Sequence, residues 1–258
     1  ITLELAKKHN KPVIFSAIGI EHYDDNNPKC QRLKKTLNFD CVKQITTRDN
    51  LEALSKFRED ERITIGKVAD PAVFSAKILE KYITKKTREK KKIGIFVLRS
   101  NGFTDNGVDF TKDDAINLWK QLMTDLEAKG YDWEFVTSGN FGDEALLTRL
   151  FTQHGINHKK CALNMNCPER LIKKISSYDA VISTRLHPSI ISYSLKVPSI
   201  GIIWNNKVTK FYDCIGHGDR ILTTEGITTS AIIEKIEKAI EKAIEAVEKQ
   251  KDPDRAAA

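Results

Sequence analysis

Ile93-Gly94-Ile95-Phe96-Val97-Leu98, followed by Arg99, is the clearest buried strand of this 258-residue sequence. An apolar run without alternation is typical of a strand that is covered on both faces of a parallel sheet. Strand-like and helix-like segments alternate after it. Strands are predicted at 133–137, 179–183, 198–203 and 220–222, and helices at about 112–129, 144–152, 168–176, from Pro188 onward and at 207–214. This alternation predicts an α/β domain with a doubly wound parallel sheet.

The chain before this strand shows the same alternation over a shorter length. Strands are predicted at 12–18, 41–47 and 64–68, with helices at about 27–37 and after Arg48-Asp49. The βαβαβ outline predicts a partial N-terminal Rossmann-like domain at 1–84 and a basic linker at 85–92. The C-terminal Rossmann-like domain then covers 93–258.

The C-terminal domain is predicted to end in one long amphipathic helix, from about Thr228 to Lys249. Its apolar residues recur at spacings of three and four: Ile232, Ile236, Ala239, Ile240, Ala243, Ile244 and Val247. This pattern favours a helix that docks on its own domain. A coiled-coil partner helix is the alternative.

The composition excludes several classes of protein. Net charge is +7, from 42 basic and 35 acidic residues, but the basic run at 85–92 lacks the aromatic side chains of a nucleic-acid platform. The five cysteines form no C-x-x-C pair, which favours reduced thiols and a cytoplasmic protein. No apolar run is long enough to span a bilayer. Peripheral association with a membrane stays open.

Polar residues follow the strands of the C-terminal domain, where ligands bind in open α/β sheets. They are Arg99, the turn Ser138-Gly139-Asn140, the pair Arg185 and His187, and Asn205 with Asn206. Arginine suits a carboxylate or phosphate, and histidine exchanges protons near neutral pH. From the residues alone, the alternative is structural, with Arg185 in an ion pair and His187 capping its own helix.

Other candidates have structural alternatives of the same kind. The run from Gly139 to Asp143 is either a phosphate-binding turn or a plain strand-to-helix turn in which Asp143 caps the helix. Arg48, Asp70 and His217 are candidate contacts of an interdomain cleft. An ion pair, a turn and a surface loop are their respective alternatives. His154 and His158 are separated by Gly155, which interrupts the helix that a shared metal site would need.

Five segments in order resemble the polysaccharide pyruvyl transferase family. They are Phe15-Ser16-Ala17-Ile18-Gly19-Ile20-Glu21, Ile45-Thr46-Thr47-Arg48-Asp49, Ala69-Asp70-Pro71-Ala72, Gly94-Ile95-Phe96-Val97-Leu98-Arg99 and Ser183-Thr184-Arg185-Leu186-His187. The resemblance covers roughly 10–225. It implies two Rossmann-like domains as in the GT-B-like glycosyltransferases. Family members usually begin with a Gly-Asn-x-Gly-Asp-Glu-like turn, which is absent from the start here, so the first domain is expected to be incomplete.

The resemblance also implies an activity, namely transfer of pyruvate from phosphoenolpyruvate to hydroxyls of a polysaccharide or its precursor as a ketal. His187 and Arg185 are then the expected catalytic residues. Substrate binding is expected from Arg99, Ser138, Gly139, Asn140, Thr184, Leu186 and Asn205. No cofactor or metal is required, the partners are phosphoenolpyruvate and a saccharide acceptor, and nucleic acid is not expected. A GT-B-type glycosyltransferase using a sugar nucleotide, and a non-catalytic sugar- or anion-binding protein, are the alternatives.

Overall fold

The computed structural model describes residues 2–20, 22–84, 89–99 and 101–251. The chain divides into two compact units, Ile1–Pro71 and Ala72–Ala258. Both are α/β units with parallel sheets, as predicted. Within the described ranges, no helix is both long and apolar enough to cross a membrane.

The first unit holds a three-stranded parallel sheet. Its elements are α1 (Thr2–Lys8), β1 (Val13–Ile18), α2 (Pro28–Leu37), β2 (Val42–Thr47), α3 (Leu51–Phe57) and β3 (Thr64–Lys67), with the strands in the order β1-β2-β3. Ile45 of the central strand packs with Leu54 and Phe57 of α3 in the core. Because the three strands are parallel, their carboxyl ends all lie at one edge of the sheet.

The second unit holds a six-stranded parallel sheet in the order β6-β5-β4-β7-β8-β9. Its elements are α4 (Ser75–Ile78), β4 (Lys92–Phe96), α5 (Lys112–Ala128), β5 (Asp132–Val136), α6 (Phe141–Gln153), β6 (Cys161–Ala162), α7 (Pro168–Ser176), β7 (Ala180–Ser183), α8 (Leu186–Ser194), β8 (Ser199–Ile202), α9 (Asn206–Cys214), β9 (Ile221–Leu222) and α10 (Thr229–Lys251). Counted from β4, this is the Rossmann order 3-2-1-4-5-6.

Helices cover both faces of this sheet. Buried residues of α5, α6 and α10 pack with Ile93 and Ile95 on one face. Residues of α7 and α8 pack with Phe96 and Val181 on the other. Because both faces are covered, the strands are apolar throughout, which is the pattern that the run at 93–98 shows in the sequence.

Glu134 is a buried carboxylate that joins three elements in the second unit. It accepts a hydrogen bond from the Tyr178 hydroxyl at 2.5 Å and lies 3.1 Å from Lys174 Nζ and 3.3 Å from Lys92 Nζ. Burial raises the pKa of Glu134, but the Tyr178 bond and the two lysine charges outweigh burial and leave the pKa lowered. The Tyr178 ring also lies over Gly94, where a Cβ would come within 2.4 Å of it.

The boundary between the units lies at Pro71, earlier than the predicted linker at 85–92. Residues 72–84 pack on the second unit because Leu79 and Tyr82 contact its α7–α8 face, and the Thr84 amide donates to Ser176 Oγ at 2.9 Å. Lys92, at the end of the predicted linker, is the first residue of β4. Residues 85–88 of that basic run lie outside the described residues.

Two helices begin earlier than predicted. α8 starts at Leu186, with Arg185 at the N-cap, so Pro188 is its third residue and not its first. Proline fits there because first-turn N–H groups have no partner inside the helix. α6 starts at Phe141, because the Asn140 side chain caps it by accepting from the Gly142 amide at 2.9 Å.

The C-terminal helix α10 docks on its own unit through the first half of the predicted apolar stripe. Ile232, Ile236, Ala239 and Ile240 are buried. Ile244 and Val247 are about half exposed, so the stripe extends beyond the core that it covers.

Candidate active site

The carboxyl edge of the second sheet brings several predicted residues together. Arg99 follows β4 and Arg185 follows β7, and these two strands are neighbours at the centre of the sheet. The chain runs outward from β4 in one direction to β5 and β6, and from β7 in the other direction to β8 and β9. Ligands of open α/β sheets bind at such a reversal point.

Asp143 links the loops that follow β4 and β7. Its carboxylate is fully buried and accepts from the Arg99 amide at 2.7 Å, from Arg185 Nε at 2.8 Å and from Arg185 Nη2 at 2.5 Å. A two-point arginine–carboxylate pair is both strong and directional. The structure therefore gives Asp143 a different contact from the helix cap considered above, since Asn140 caps α6.

Arg185 is oriented by three neighbours. Besides the Asp143 pair, its guanidinium lies over the Trp204 ring, 5.7 Å from the centroid. Ser183 Oγ accepts from the Arg185 amide at 3.0 Å and donates to the Arg185 carbonyl at 2.7 Å. The Arg185 side chain is 17% exposed. Arg185 therefore forms the ion pair that was its structural alternative, but Asp143 occupies only one edge of the guanidinium.

The other residues of this loop differ in exposure. Thr184 is buried, and its hydroxyl donates to the Phe96 carbonyl at 2.8 Å, which ties the loop to β4. Trp204 Nε1 donates to the Thr184 carbonyl. Leu186 is half-buried in the first turn of α8, and His187 next to it is exposed. The side chain of Arg185, the N-cap residue, does not cap α8.

The β5–α6 turn is shaped by Gly139. Its φ is +84°, and a Cβ there would come within 2.7 Å of Asn166 Cα, so glycine is required on two grounds. Ser138 is half-buried and Asn140 is exposed. A Cβ on Gly142 would come within 3.0 Å of Arg99 Cβ, which shows how closely the β4 loop approaches α6.

Arg99 reaches solvent. Its side chain is 47% exposed and pairs with Asp105, similarly exposed, at 2.9 Å. An exposed pair of this kind contributes little free energy and exchanges readily for another anion.

Asn205 and His217 lie at opposite edges of the sheet. Asn205 follows β8 and caps α9 by accepting from the Lys207 amide at 3.1 Å. His217 precedes β9, which runs parallel to β8, so it lies near the amino edge. Burial, with the charge of Arg220, lowers the pKa of His217. The structure therefore does not bring His217 together with Arg185 and Arg99.

In the first unit, Arg48 and Asp70 meet at the carboxyl edge. Arg48 Nη1 donates to Asp70 Oδ2 at 2.6 Å, which is the ion pair considered as an alternative for Arg48. Gly19 lies against this pair, since a Cβ there would be 3.3 Å from Arg48 Nη2. Ala17, at the end of β1, has a φ of +52°, and its amide donates to Thr46 Oγ1 at 2.9 Å.

Within the described ranges, no cluster holds three or more His, Cys, Asp or Glu side chains in ligating positions. α6 ends at Gln153, before His154 and His158. Burial raises the pKa of the nearby Cys161 thiol to about 11.

Two residues of the site were not identified from the sequence, namely Asp143 as the partner of Arg185, and Trp204. Asp143 was assigned a local role because an acidic residue in a first helical turn has a sufficient local explanation. The position of Trp204 is the sequence feature that indicates it, since Trp204 directly precedes Asn205 at the end of a strand.

The two parallel sheets define a two-unit α/β chain, in which the second unit has the Rossmann strand order and carries Arg99 and Arg185 at its reversal point. A protein-family model described as "Polysaccharide pyruvyl transferase" matches residues 1–206. The chain belongs to that family. The search of curated proteins returned no match.

Solved structures similar to this chain include three enzymes of cell-surface polymers. One is E. coli ADP-heptose lps heptosyltransferase II, with 11% identity, a TM-score of 0.42, and coverage of 73% of this chain and 57% of that one. WaaG, "a glycosyltransferase involved in lipopolysaccharide biosynthesis", has 12% identity, a TM-score of 0.46, and coverage of 93% of this chain and 72% of that one. The wall teichoic acid polymerase TagF has 11% identity, a TM-score of 0.38, and coverage of 91% of this chain and 59% of that one. This chain thus spans little more than half of the heptosyltransferase.

Proposed function

We propose that this chain transfers pyruvate from phosphoenolpyruvate to two hydroxyls of a saccharide, forming a ketal. Family membership over residues 1–206 supports transferase chemistry on a polysaccharide. The observation that carries the donor assignment is the placement of Arg99 and Arg185 at neighbouring strand ends, joined through Asp143. Phosphoenolpyruvate carries a carboxylate and a phosphate, and arginine forms charge-assisted bonds of about 1.5–3 kcal/mol with either.

In this scheme Arg185 and Arg99 hold different parts of the donor. Asp143 occupies the Nε–Nη2 edge of Arg185, so the Nη1 side is the edge available for an anion. Arg99 exchanges Asp105 for the second anionic group. The amino terminus of α8, which the Arg185 side chain does not cap, adds the positive end of a helix dipole beside the donor.

His187 is the proposed general acid and base. His187 gives a proton to the methylene carbon of the donor, and one sugar hydroxyl attacks the adjacent carbon while its proton returns to His187. The bond from that carbon to the phosphate oxygen then breaks. The second hydroxyl closes the ketal, and its proton leaves with inorganic phosphate. General acid–base catalysis by a positioned side chain contributes roughly 10²–10⁴-fold. The exposed position of His187, two residues after Arg185, supports proton exchange with substrate.

Ser138, Gly139, Asn140, Thr184, Leu186 and Asn205 complete the proposed donor side. The five free cysteines fit a reducing compartment, and we place the reaction in the cytoplasm, acting on an exopolysaccharide or its precursor.

The test is incubation with phosphoenolpyruvate and a panel of pyranoside acceptors. We expect acceptor-dependent release of phosphate and a new ketal methyl signal in the NMR spectrum of the product. Glycosyl transfer from a sugar nucleotide, with no phosphate released from phosphoenolpyruvate, would overturn the proposal. Tight binding of the donor without any product would instead indicate a binding protein.

A further inference from the structure

Two side chains from different elements hold the Arg185 guanidinium. Asp143 of α6 binds one edge of it through Nε and Nη2. Trp204, after β8, lies against its face. We propose that Asp143 and Trp204 are positioning residues, which fix Arg185 for the donor anion without touching that anion. This inference rests on the proposed function.

The two contacts restrict different motions. A two-point bond to a fully buried carboxylate sets the direction of the guanidinium within its own plane. The ring face of Trp204, whose Nε1 is anchored on the Thr184 carbonyl, limits rotation of that plane. Arg185 therefore enters the site with its orientation already chosen, and little entropy is lost when the donor binds.

The charge of Asp143 does not raise affinity for an anion. Its negative charge offsets the positive charge of Arg185 and repels a phosphate or carboxylate. An acidic residue at that position is therefore useful for orientation and costly for attraction. If Asp143 positions Arg185, removing its charge lowers kcat without raising KM. A purely structural role does not predict this separation of the two constants.

The decisive variant is Asp143→Asn, which keeps the size of the side chain and removes its charge. We expect kcat to fall at least tenfold, because small displacements of a substrate-orienting group are costly, while KM for phosphoenolpyruvate stays unchanged or falls. A raised KM with unchanged kcat would overturn the inference, as would wild-type values of both.

Glu134→Gln is the matched control. It also neutralises a buried, ion-paired carboxylate of the second unit. The partners of Glu134 are Tyr178, Lys174 and Lys92, which precede a strand or begin one and therefore lie away from the carboxyl edge. Kinetics are measured well below the melting temperature of both variants. We expect Glu134→Gln to lower the melting temperature and leave kcat and KM unchanged. Equal loss of kcat in both variants would mean that destabilisation alone explains Asp143→Asn.

A double variant tests whether Asp143 acts through Arg185. In an Arg185→Lys background, Asp143→Asn should lower kcat by less than threefold further, because the two-point pair is already lost. Full additivity would overturn the inference.

Should Asp143→Asn not fold, Trp204→Leu removes the ring face and leaves the ion pair intact. The same fall in kcat without a rise in KM is expected.

The wild-type chain separates the two proposals. A wild type that releases no phosphate from phosphoenolpyruvate with any acceptor overturns the proposed function and this inference with it. An active wild type beside an Asp143→Asn variant of unchanged kcat overturns the inference alone.

Discussion

Gly139 illustrates how a single residue can be fixed by backbone geometry at the edge of a site. We predict that Gly139→Ala lowers the free energy of unfolding by about 2–4 kcal/mol, because an alanine is strained at positive φ and its Cβ would clash with Asn166 Cα. Gly107→Ala is the control, with a φ of +74° and open space around it. It should cost about 1 kcal/mol. Urea unfolding measures both, and equal losses would show that the Asn166 contact is unimportant.

The residues of the Arg185 loop should separate stability from turnover. His187→Ala is expected to reduce turnover by about 10²-fold or more, with little change in melting temperature, because His187 is exposed. Arg185→Ala is expected to lower both, since it leaves the buried Asp143 carboxylate without its charged partner, at a cost of about 3–5 kcal/mol. Calorimetry with a phosphate-release assay measures the two effects. A large loss of melting temperature in His187→Ala would assign it a structural role.

At this scale the sequence predicted which residues follow strands but not what they contact. Arg99, Arg185 and Asn205 lie where the strand-end rule placed them. The pairing of Arg185 with Asp143 joins residues 42 apart. It depends on α6 and β7 meeting in space, and no local pattern encodes that.

Among the elements, β4, β5 and α7 are held together by the charges around Glu134. The folded-state pKa of Glu134 lies below its unfolded value, so the unfolded chain takes up the proton first as pH falls. The stabilisation is therefore fully present above the unfolded pKa and is lost as pH falls through the folded pKa. We predict that wild type and Glu134→Gln differ in unfolding free energy at pH 7, and that this difference begins to shrink as pH falls below about 4. A constant difference from pH 7 to 3.5 would contradict this prediction.

The long helix α10 divides into a docked part and an exposed part. Ile236→Ala should lower the free energy of unfolding by about 2–5 kcal/mol, since Ile236 is fully buried against the sheet. Ile244→Ala, at a position 47% exposed, should cost less than about 1 kcal/mol. Denaturant titration compares the two. Similar losses would indicate that the exposed part is also covered in solution.

Elements were more predictable from the sequence than their limits. Each strand of the second unit except the two-residue β6 was predicted within about a residue or two, because buried strands show as continuous apolar runs. β9 is equally short but consists of Ile221 and Leu222, whereas β6 consists of Cys161 and Ala162 and lacks large apolar side chains. The starts of α6 and α8 were misplaced because their N-caps, Asn140 and Arg185, had been assigned to loops.

For the whole molecule, the division at Pro71 predicts that residues 72–84 stabilise the second unit. A fragment covering 72–258 should unfold cooperatively. A fragment covering 89–258, which keeps Lys92 and all of β4, should unfold at lower urea concentration, because it lacks the Leu79 and Tyr82 packing and the Thr84–Ser176 hydrogen bond. Equal midpoints would place the working boundary at the basic run instead.

The central position of β4 has a consequence for the order in which the protein folds. The Lys92 amide bonds the Asp179 carboxylate, 87 residues along the chain, at the junction of β4 and β7. Contacts of such large sequence separation form slowly, because a long loop must close before any of them is made. Since Arg99 and Arg185 meet only across that junction, we expect donor binding to return in the slowest phase of refolding. Helical circular dichroism, which reports local structure, should recover earlier.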